Sequence, residues 1–341
     1  MRIGIAFDLV PAERDGDGPD DRYEEFDSPE TVEAIAAVLR DEGHEVVFLG
    51  DGRDFLRRVL DDPPEFVWNF AEGEGIGRSR EARVPAALEM LGIPYSGSDP
   101  LTLAAALDKD VAKRLVQARD VRVPRGVLYP EVSTFATHRF PFHDRSIYPV
   151  ILKPAFEGSS KGIGAQCLAF DVFDLEGHAR FLHRTYGQPI LIEEFIAGDE
   201  VTVGLTGNGH DVEVLGIMRI LPRQPTEHFV YSLDVKRDYA RRVAYEAPAR
   251  LPGDVLDAIA SRARDAYRAL GCRDVARIDF RLKDGVPYFL EANPLPGLSP
   301  DKGDLVILAQ GHGVDYAALI RRILNVALAR VGLAAPEPVT S

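Results

Sequence analysis

The chain has 341 residues, 45 % of them apolar and 28 % charged, and its 40 Lys plus Arg stand against 54 Asp plus Glu for a net charge of −14. That length gives room for roughly two or three domains with ample core, while the acidic balance argues against nonspecific binding to nucleic acid or anionic membranes, which need a positive surface. The only cysteines, Cys167 and Cys272, stand in no paired motif, so neither a disulfide framework nor a zinc signature is expected.

The chain passes from Met1-Arg2 straight into a strand-like Ile3-Gly4-Ile5-Ala6-Phe7, too short for a signal peptide's apolar core. No apolar run approaches membrane-spanning length, and a reducing cytoplasm is the expected compartment. An acidic, Gly/Pro-bearing loop over 11–27 follows. A helix then starts with Ser28 as N-cap, Pro29 at the first helical position and Glu30 in the first turn. Val32, Ile35, Ala36, Val38 and Leu39 form its apolar stripe, and Gly43 is the expected C-cap. A strand at 46–49, a helix about 55–60 and a strand at 66–70 come next. Another helix carries Ala86, Leu88 and Met90, ends at Gly92 and passes to Ile93-Pro94-Tyr95. Strands alternating with helices imply a parallel sheet covered by helices. This first unit is expected over 1–108.

A second unit, 109–200, opens on a helix with Lys109, Val111, Ala112, Leu115 and Val116. Two apolar strands, Val150-Ile151-Leu152 and Pro189-Ile190-Leu191-Ile192, flank a Gly/Ser loop, a further strand and a helix. That loop, from Lys153 to Gly164, sets glycines, serines and lysines between strands. Glycines let backbone amides approach an anion, and hydroxyls and ammonium groups add charge-assisted donors. The order is not that of a phosphate loop, and Gly162-Ile163-Gly164 is only a fragment of the dinucleotide fingerprint. A flexible hairpin tip is the competing reading, which Lys153 weakens, because a lysine within an apolar strand needs an anionic partner. The stretch Glu193-Glu194-Phe195-Ile196 to Glu200 offers an apolar slot and carboxylates of the kind an adenine and a ribose diol require.

The third unit, 201–333, begins near Val201-Thr202-Val203 and closes on an amphipathic helix over 316–331, whose buried stripe is Leu319, Ile320, Ile323, Leu324 and Ala327. The tail 334–341 is expected to fray. Residues 221–247 show no sustained period and read as a functional lid. A hairpin turning at Lys283-Asp284-Gly285-Val286 puts Arg277, Asp279 and Arg281 on one face of its first strand, and Ile278, Phe280 and Leu282 on the other. On the return strand Phe289, Glu291 and Asn293 read as one face, Leu290 and Ala292 as the other. An odd connection, such as a three-residue loop with Gly, sets Asp279 opposite Glu291 and Arg277 opposite Asn293. Two carboxylates and an amide oxygen then converge as Mg2+ requires. A half-solvated sheet edge whose polar face meets water is the competing reading.

These motifs, in the order Leu107-Asp108-Lys109, Ile151-Leu152-Lys153-Pro154 with Glu157-Gly158-Ser159-Ser160, Ile192-Glu193-Glu194-Phe195 with Glu200, Arg277-Ile278-Asp279 and Glu291-Ala292-Asn293, resemble the ATP-grasp enzymes. Within these the chain is most similar to the D-alanine–D-alanine ligases, as is its segment 88–98. The resemblance covers about 1–330 and implies a three-domain α/β (α+β) ATP-grasp fold with an N-terminal parallel α/β domain. It implies ATP and two Mg2+ (or Mn2+) as cofactors, amino acids as substrates, and a homodimer binding neither nucleic acid nor membrane.

By the same resemblance Lys109 and Lys153 fall at the phosphates, with Ser160 in the phosphate loop. Glu193, Glu194, Phe195 and Ile196 fall around the adenine, and Glu200 at the ribose. Asp279, Glu291 and Asn293 fall at the metal ions. Ser159 positions the first substrate, Arg277 and the N–H of Gly297 hold the oxyanion, and Lys236 is the lid lysine. The implied reaction activates a carboxylate as an acyl phosphate, which an amine then attacks, with positioning and electrostatics as the main catalytic means.

Departures concern the amino-acid subsites. Phe7-Asp8-Leu9-Val10-Pro11 replaces the family's Gly-Gly loop, which leaves the carboxylate for the first substrate's ammonium open among Glu13, Glu25 and Glu30. Ala71-Glu72-Gly73-Glu74-Gly75 replaces a His-Gly motif, and Arg237 follows Lys236 where a tyrosine is usual. Pro300-Asp301-Lys302-Gly303 stands where a serine binds the second substrate's carboxylate, a task open to Lys302, as is that of a solvated loop lysine. A ligase for another amino acid or a specialised metabolite, and a nucleotide-binding protein without turnover, are the alternatives.

Overall fold

The structure is a computed structural model and describes residues 1–11, 18–130, 145–164 and 166–333. Its first unit runs β1 (Arg2–Ala6), α1 (Pro29–Asp41), β2 (Glu45–Gly50), α2 (Gly52–Asp61), β3 (Phe66–Asn69) and α3 (Arg83–Leu91). β1 is the central strand and pairs in parallel with β2 and β3. The Ser28 hydroxyl accepts the N–H of Thr31 and so opens α1. The C-cap falls on Glu42, one residue before Gly43. The α1 stripe of Val32, Ile35, Ala36 and Leu39 packs with Ile3, Ile5, Phe66 and Trp68, each fully buried large side chain contributing about 1.5–3 kcal/mol. Asp8 and Glu72 follow the carboxyl ends of β1 and β3, the edge at which open parallel sheets meet their ligands.

Helices α4 (Pro100–Leu107) and α5 (Lys109–Gln117) are capped by Asp99 and Asp108, whose carboxylates accept from Thr102 N at 2.9 Å and Val111 N at 3.1 Å. Ala112 and Val116 of α5 lie in one apolar core with Ile259, Ala263, Ile278 and Phe289 from later in the chain. Strands β4 (Gly126–Tyr129), β5 (Val150–Pro154) and β6 (Leu168–Ala169) precede α6 (Val172–Tyr186) and β7 (Ile190–Glu194). They form an antiparallel sheet in the order β4-β7-β5-β6.

The remainder comprises β8 (Asp199–Gly207), β9 (Glu213–Pro222), α7 (Leu233–Arg237), α8 (Tyr239–Arg242), β10 (Val243–Glu246), α9 (Gly253–Leu270), β11 (Asp274–Lys283), β12 (Val286–Asn293), α10 (Asp304–Gly311) and α11 (Tyr316–Arg330). Its antiparallel sheet has the order β10-β9-β8-β11-β12. The stretch 221–247, read from sequence as aperiodic, in fact holds α7, α8 and β10, elements too short to leave a period. Among the described residues no helix is long and apolar enough to cross a membrane.

The β11–β12 register is the expected one, Asp279 with Glu291 and Arg277 with Asn293, but its cause differs. The turn is a two-residue one: Lys283 pairs with Val286, and Asp284 and Gly285 both take positive φ, 51° and 75°. That backbone matches the strand twist and favours glycine at its second position. A bulge between Asp279 and Phe280 then restores the register, because Phe280 pairs with Phe289 and Leu290 is the extra residue. Phe289 is therefore not on the face of Glu291. It is buried edge-to-face against Phe280, with centroids 6.1 Å apart.

Candidate active site

The hairpin presents its polar face to a cleft. Asp279 is buried and accepts from Arg277 Nη2 at 2.9 Å, Thr202 Oγ1 at 2.8 Å and Asn293 Nδ2 at 3.1 Å. Arg277 also reaches Asp304 at 3.1 Å. Across the strand pair, Glu291 receives Lys109 Nζ at 3.0 Å. Burial pushes the Asp279 carboxyl up, the Arg277 guanidinium opposes this, and the charge of Glu291 adds to it. Burial would raise Glu291 as well, but the Lys109 ammonium holds it well below the ordinary carboxylate range. Among the described residues no three His, Cys, Asp or Glu side chains form a metal cluster; the third donor here is the Asn293 amide. A buried and a part-buried carboxylate that repel one another beside an amide oxygen fit a hard dication, which relieves that repulsion.

A narrow cavity of about 60 Å3 joins this face to the central sheet, lined by Ile151, Lys153, Ser160, Glu193, Glu194, Phe195, Ile196, Glu200, Lys236 and Leu290 among others. Glu193, fully buried, lies between Lys153 at 3.1 Å and Lys113 at 2.7 Å. The second contact is an ion pair without hydrogen-bond alignment. Burial pushes Lys113 down to about 8 against the pull of Glu193. Glu194 accepts the backbone N–H of Arg125 at 2.9 Å, and Glu200 pairs with Arg281 at 3.2 Å. Lys113, Arg281 and Asp304 were not singled out from sequence. Arg281 did share the polar face of Arg277 and Asp279, and Lys113 lies one helical turn beyond Lys109.

The Gly/Ser loop does not leave its amides free. Gly158 N donates to Glu25 at 2.6 Å and Gly162 N to Asp21 at 2.9 Å, so carboxylates of the acidic segment occupy donors that the loop's composition suggested for a bound anion. Ser159 and Ser160 take left-handed φ of 46° and 60°, a strain that surrounding bonds must hold. Ser160 Oγ donates to Tyr231 O at 3.0 Å and Leu233 N to Ile163 O at 3.1 Å, which lays the 221–247 stretch across the loop. From α7, Arg237 reaches Glu24 at 2.6 Å and Asp20 at 3.1 Å.

A larger cavity of about 460 Å3 extends from the hairpin to the first unit and is lined by Lys109, Ser159, Lys236, Arg277, Glu291, Asn293, Gly297 and Lys302, and by Glu25, Asp27, Glu72 and Glu81. Of the carboxylates expected for a substrate ammonium, Glu13 lies outside the described residues and Glu30 is exposed on the first turn of α1. Glu25 does face the cavity but is tied to Arg80, Lys161 and Gly158 N, partners from distant stretches of the chain. Lys302 is exposed on the rim. Burial pushes Asp27 up to about 7, against the pull of Lys302.

A family model described as the D-ala D-ala ligase C-terminus matches residues 135–325. A D-alanine–D-alanine ligase from Gloeobacter violaceus is 33 % identical over 314 residues, covering 88 % of this chain and 96 % of that protein. An uncharacterised protein from Sinorhizobium fredii is 34 % identical over 310 residues, covering 87 % of each. Among solved structures, the D-alanine–D-alanine ligase from Bacillus anthracis complexed with ATP superimposes with a TM-score of 0.73 at 22 % identity, over 97 % of this chain and 98 % of that one.

Proposed function

The chain belongs to the D-alanine–D-alanine ligase family of the ATP-grasp superfamily, and from that premise we propose how its residues divide the work of an ATP-dependent ligase. The reaction joins two amino acids, D-alanine with D-alanine, into the dipeptide precursor of peptidoglycan. The observation that carries the reading is the registered set Arg277, Asp279, Glu291 and Asn293, which with Lys109 and Lys236 lines the two adjoining cavities.

ATP would lie between the 109–200 and 201–333 units. Phe195 and Ile196 supply apolar walls for the adenine beside Glu193 and Glu194, and Glu200 takes the ribose. Lys109, Lys153 and Ser160 hold the phosphates. Asp279, Glu291 and Asn293 would hold two Mg2+ (or Mn2+) ions, whose charge offsets that of the phosphates. A metal ion held there would leave the Lys109 ammonium free to take a phosphate oxygen in place of Glu291.

Ser159 positions the first amino acid, whose carboxylate attacks the γ-phosphoryl group to give an acyl phosphate and ADP. Lys236 neutralises the transferred phosphate. The second amino acid, its carboxylate held by Lys302, attacks the acyl carbon through its neutral amine. Arg277 and the N–H of Gly297 stabilise the resulting oxyanion until phosphate leaves. The closed lid excludes water, which would hydrolyse the acyl phosphate. The proposed enzyme acts in the cytoplasm as a homodimer.

The test is release of ADP and phosphate by the purified chain against a panel of D- and L-amino acids, with the mass of the product. Dipeptide formed from D-alanine alone supports the reading. Release with a different acceptor transfers it to another amino acid, and no release despite ATP binding leaves a nucleotide-binding protein.

A further inference from the structure

The inner end of the larger cavity holds buried charges that do not balance. Arg80, its side chain 1 % exposed, gives Nη2 to both oxygens of Glu25 at 2.8 and 2.9 Å and Nη1 to Phe156 O at 2.6 Å. Lys161 adds a bond to Glu25 at 2.9 Å and an ion pair with Glu157, which also accepts from Gln188 at 2.7 Å. Glu25 and Glu157 are thereby neutralised by Arg80 and Lys161.

Glu72 and Glu81 are left over. Both line the cavity, and Glu81 is only 7 % exposed. Glu81 and Glu72 lie close enough for their charges to interact, and among the described residues neither makes an ion pair. The charged groups facing them are Asp8, Glu25, Arg80 and Lys109; Arg80 is bonded to Glu25 and to Phe156 O, and Lys109 to Glu291, so each attracts the pair without forming an ion pair with it. The backbone imposes this meeting. Gly73 takes φ 76° and packs so closely on Arg80 that a Cβ there would lie 2.6 Å from Arg80 O, while Asp8 Oδ2 accepts Gly73 N at 2.9 Å. The loop after β3 is thus clamped with Glu72 against Glu81.

A buried carboxylate aimed into a cavity without a cation requires either a proton or a cationic ligand. The first amino acid of an ATP-dependent ligase carries an ammonium group, and Glu25 has no free oxygen to receive it. We propose that the Glu72–Glu81 pair is the subsite for the ammonium group of the first amino-acid substrate. This rests on the ligase reading and names the residues that give it substrate selectivity. Burial pushes Glu81 up to about 8 and Glu72 well above its ordinary value, so the empty pair retains a proton near neutral pH. On binding, the proton leaves to solvent and the ammonium takes its place between the carboxylates.

The experiment uses the full chain, ATP, D-alanine and the des-amino analogue propionate as a competitive inhibitor. Glu81→Gln and Glu72→Gln/Glu81→Gln, which keep shape and hydrogen bonding, are compared with wild type. The KM for D-alanine at the first site, separated from that of the second by two-site kinetics, should rise at least about tenfold, the least that a buried charge-assisted hydrogen bond contributes. The KM for ATP and the inhibition by propionate should stay within about twofold. Calorimetry in buffers of different ionisation enthalpy should record proton release on D-alanine binding to wild type and none with the double variant. Equal weakening of D-alanine and propionate, or no change in either, overturns the subsite. A wild type that releases no ADP with any amino acid overturns the ligase reading itself, and the subsite with it. Activity with an amino acid other than D-alanine moves the same comparison to that substrate and its des-amino analogue, with the same criteria.

Discussion

Lys109, the first residue of α5, places its ammonium 3.0 Å from the carboxylate of Glu291 near the end of β12. One residue proposed for the phosphates therefore neutralises one proposed for the metal. Both are largely buried, and breaking such a pair strands a charge in a poorly solvated place. The pairing neutralises both charges, and in the proposed mechanism it opens when nucleotide and cation bind.

Glu291→Gln should therefore lower ADP release at least about a hundredfold while the fold persists, the scale on which single electrostatic groups of a catalytic site act. Because Lys109 keeps its bond to the carbonyl of Glu157, the loss in melting temperature should be modest. Circular dichroism and a coupled assay measure both. Near-normal turnover would remove Glu291 from the metal site.

The lid contact offers a charge-reversal test. Arg237 and Glu24 are part-exposed, at 38 % and 29 % for their side chains, so their pair contributes no more than about 1 kcal/mol. Arg237→Glu should raise the KM for the amino acids by about two- to fivefold, and adding Glu24→Arg should restore most of it. The single variant should also lose the salt dependence of the wild type. Failure of the second substitution to rescue the first would show that the contact does not govern closure.

Lys302→Ala should raise the KM of the second amino acid more than that of ATP. It also removes the charge that opposes the burial of Asp27, whose carboxyl already stands at about 7, so that group should titrate higher still. Two-substrate kinetics and carboxyl titration by NMR would measure these effects. Unaltered acceptor kinetics would return Lys302 to the role of a surface lysine.

Stability should fall as the medium becomes alkaline. Burial places Asp8 at about 8, Asp27 at about 7 and Glu81 at about 8 in the folded chain, against unfolded values near 4. The folded state thus holds the extra protons. This contribution is complete below about pH 4 and disappears as pH rises through about 7 to 8. Glu193 and Glu291, held low by lysines, act in the opposite sense and only in acid. Urea denaturation from pH 5 to 9 should show the decline, and Glu81→Gln should flatten it. A stability that rises across that range would contradict the assignment.

The outlines of the elements were legible because they depend on neighbours in the chain. Ser28-Pro29 started α1, and the alternation around Arg277 and Asp279 identified a strand with a polar face. The hairpin shows the limit of such reading. Its register was correct, yet it came from a two-residue turn and a bulge instead of a three-residue loop, and Phe289 moved from the cleft into the core. An apolar run such as Phe289-Leu290 reads alike with or without a bulge, since either residue can be buried.

The order of the motifs, the helix starts and the strand periodicities belong to the sequence, because propensity, capping and alternation act over a few residues. Which charge neutralises which was decided only by the tertiary structure. Arg80 with Glu25, Lys109 with Glu291 and Lys113 with Glu193 each join distant stretches of chain. The exclusion of water that gives such pairs their strength exists only once the units have packed around them.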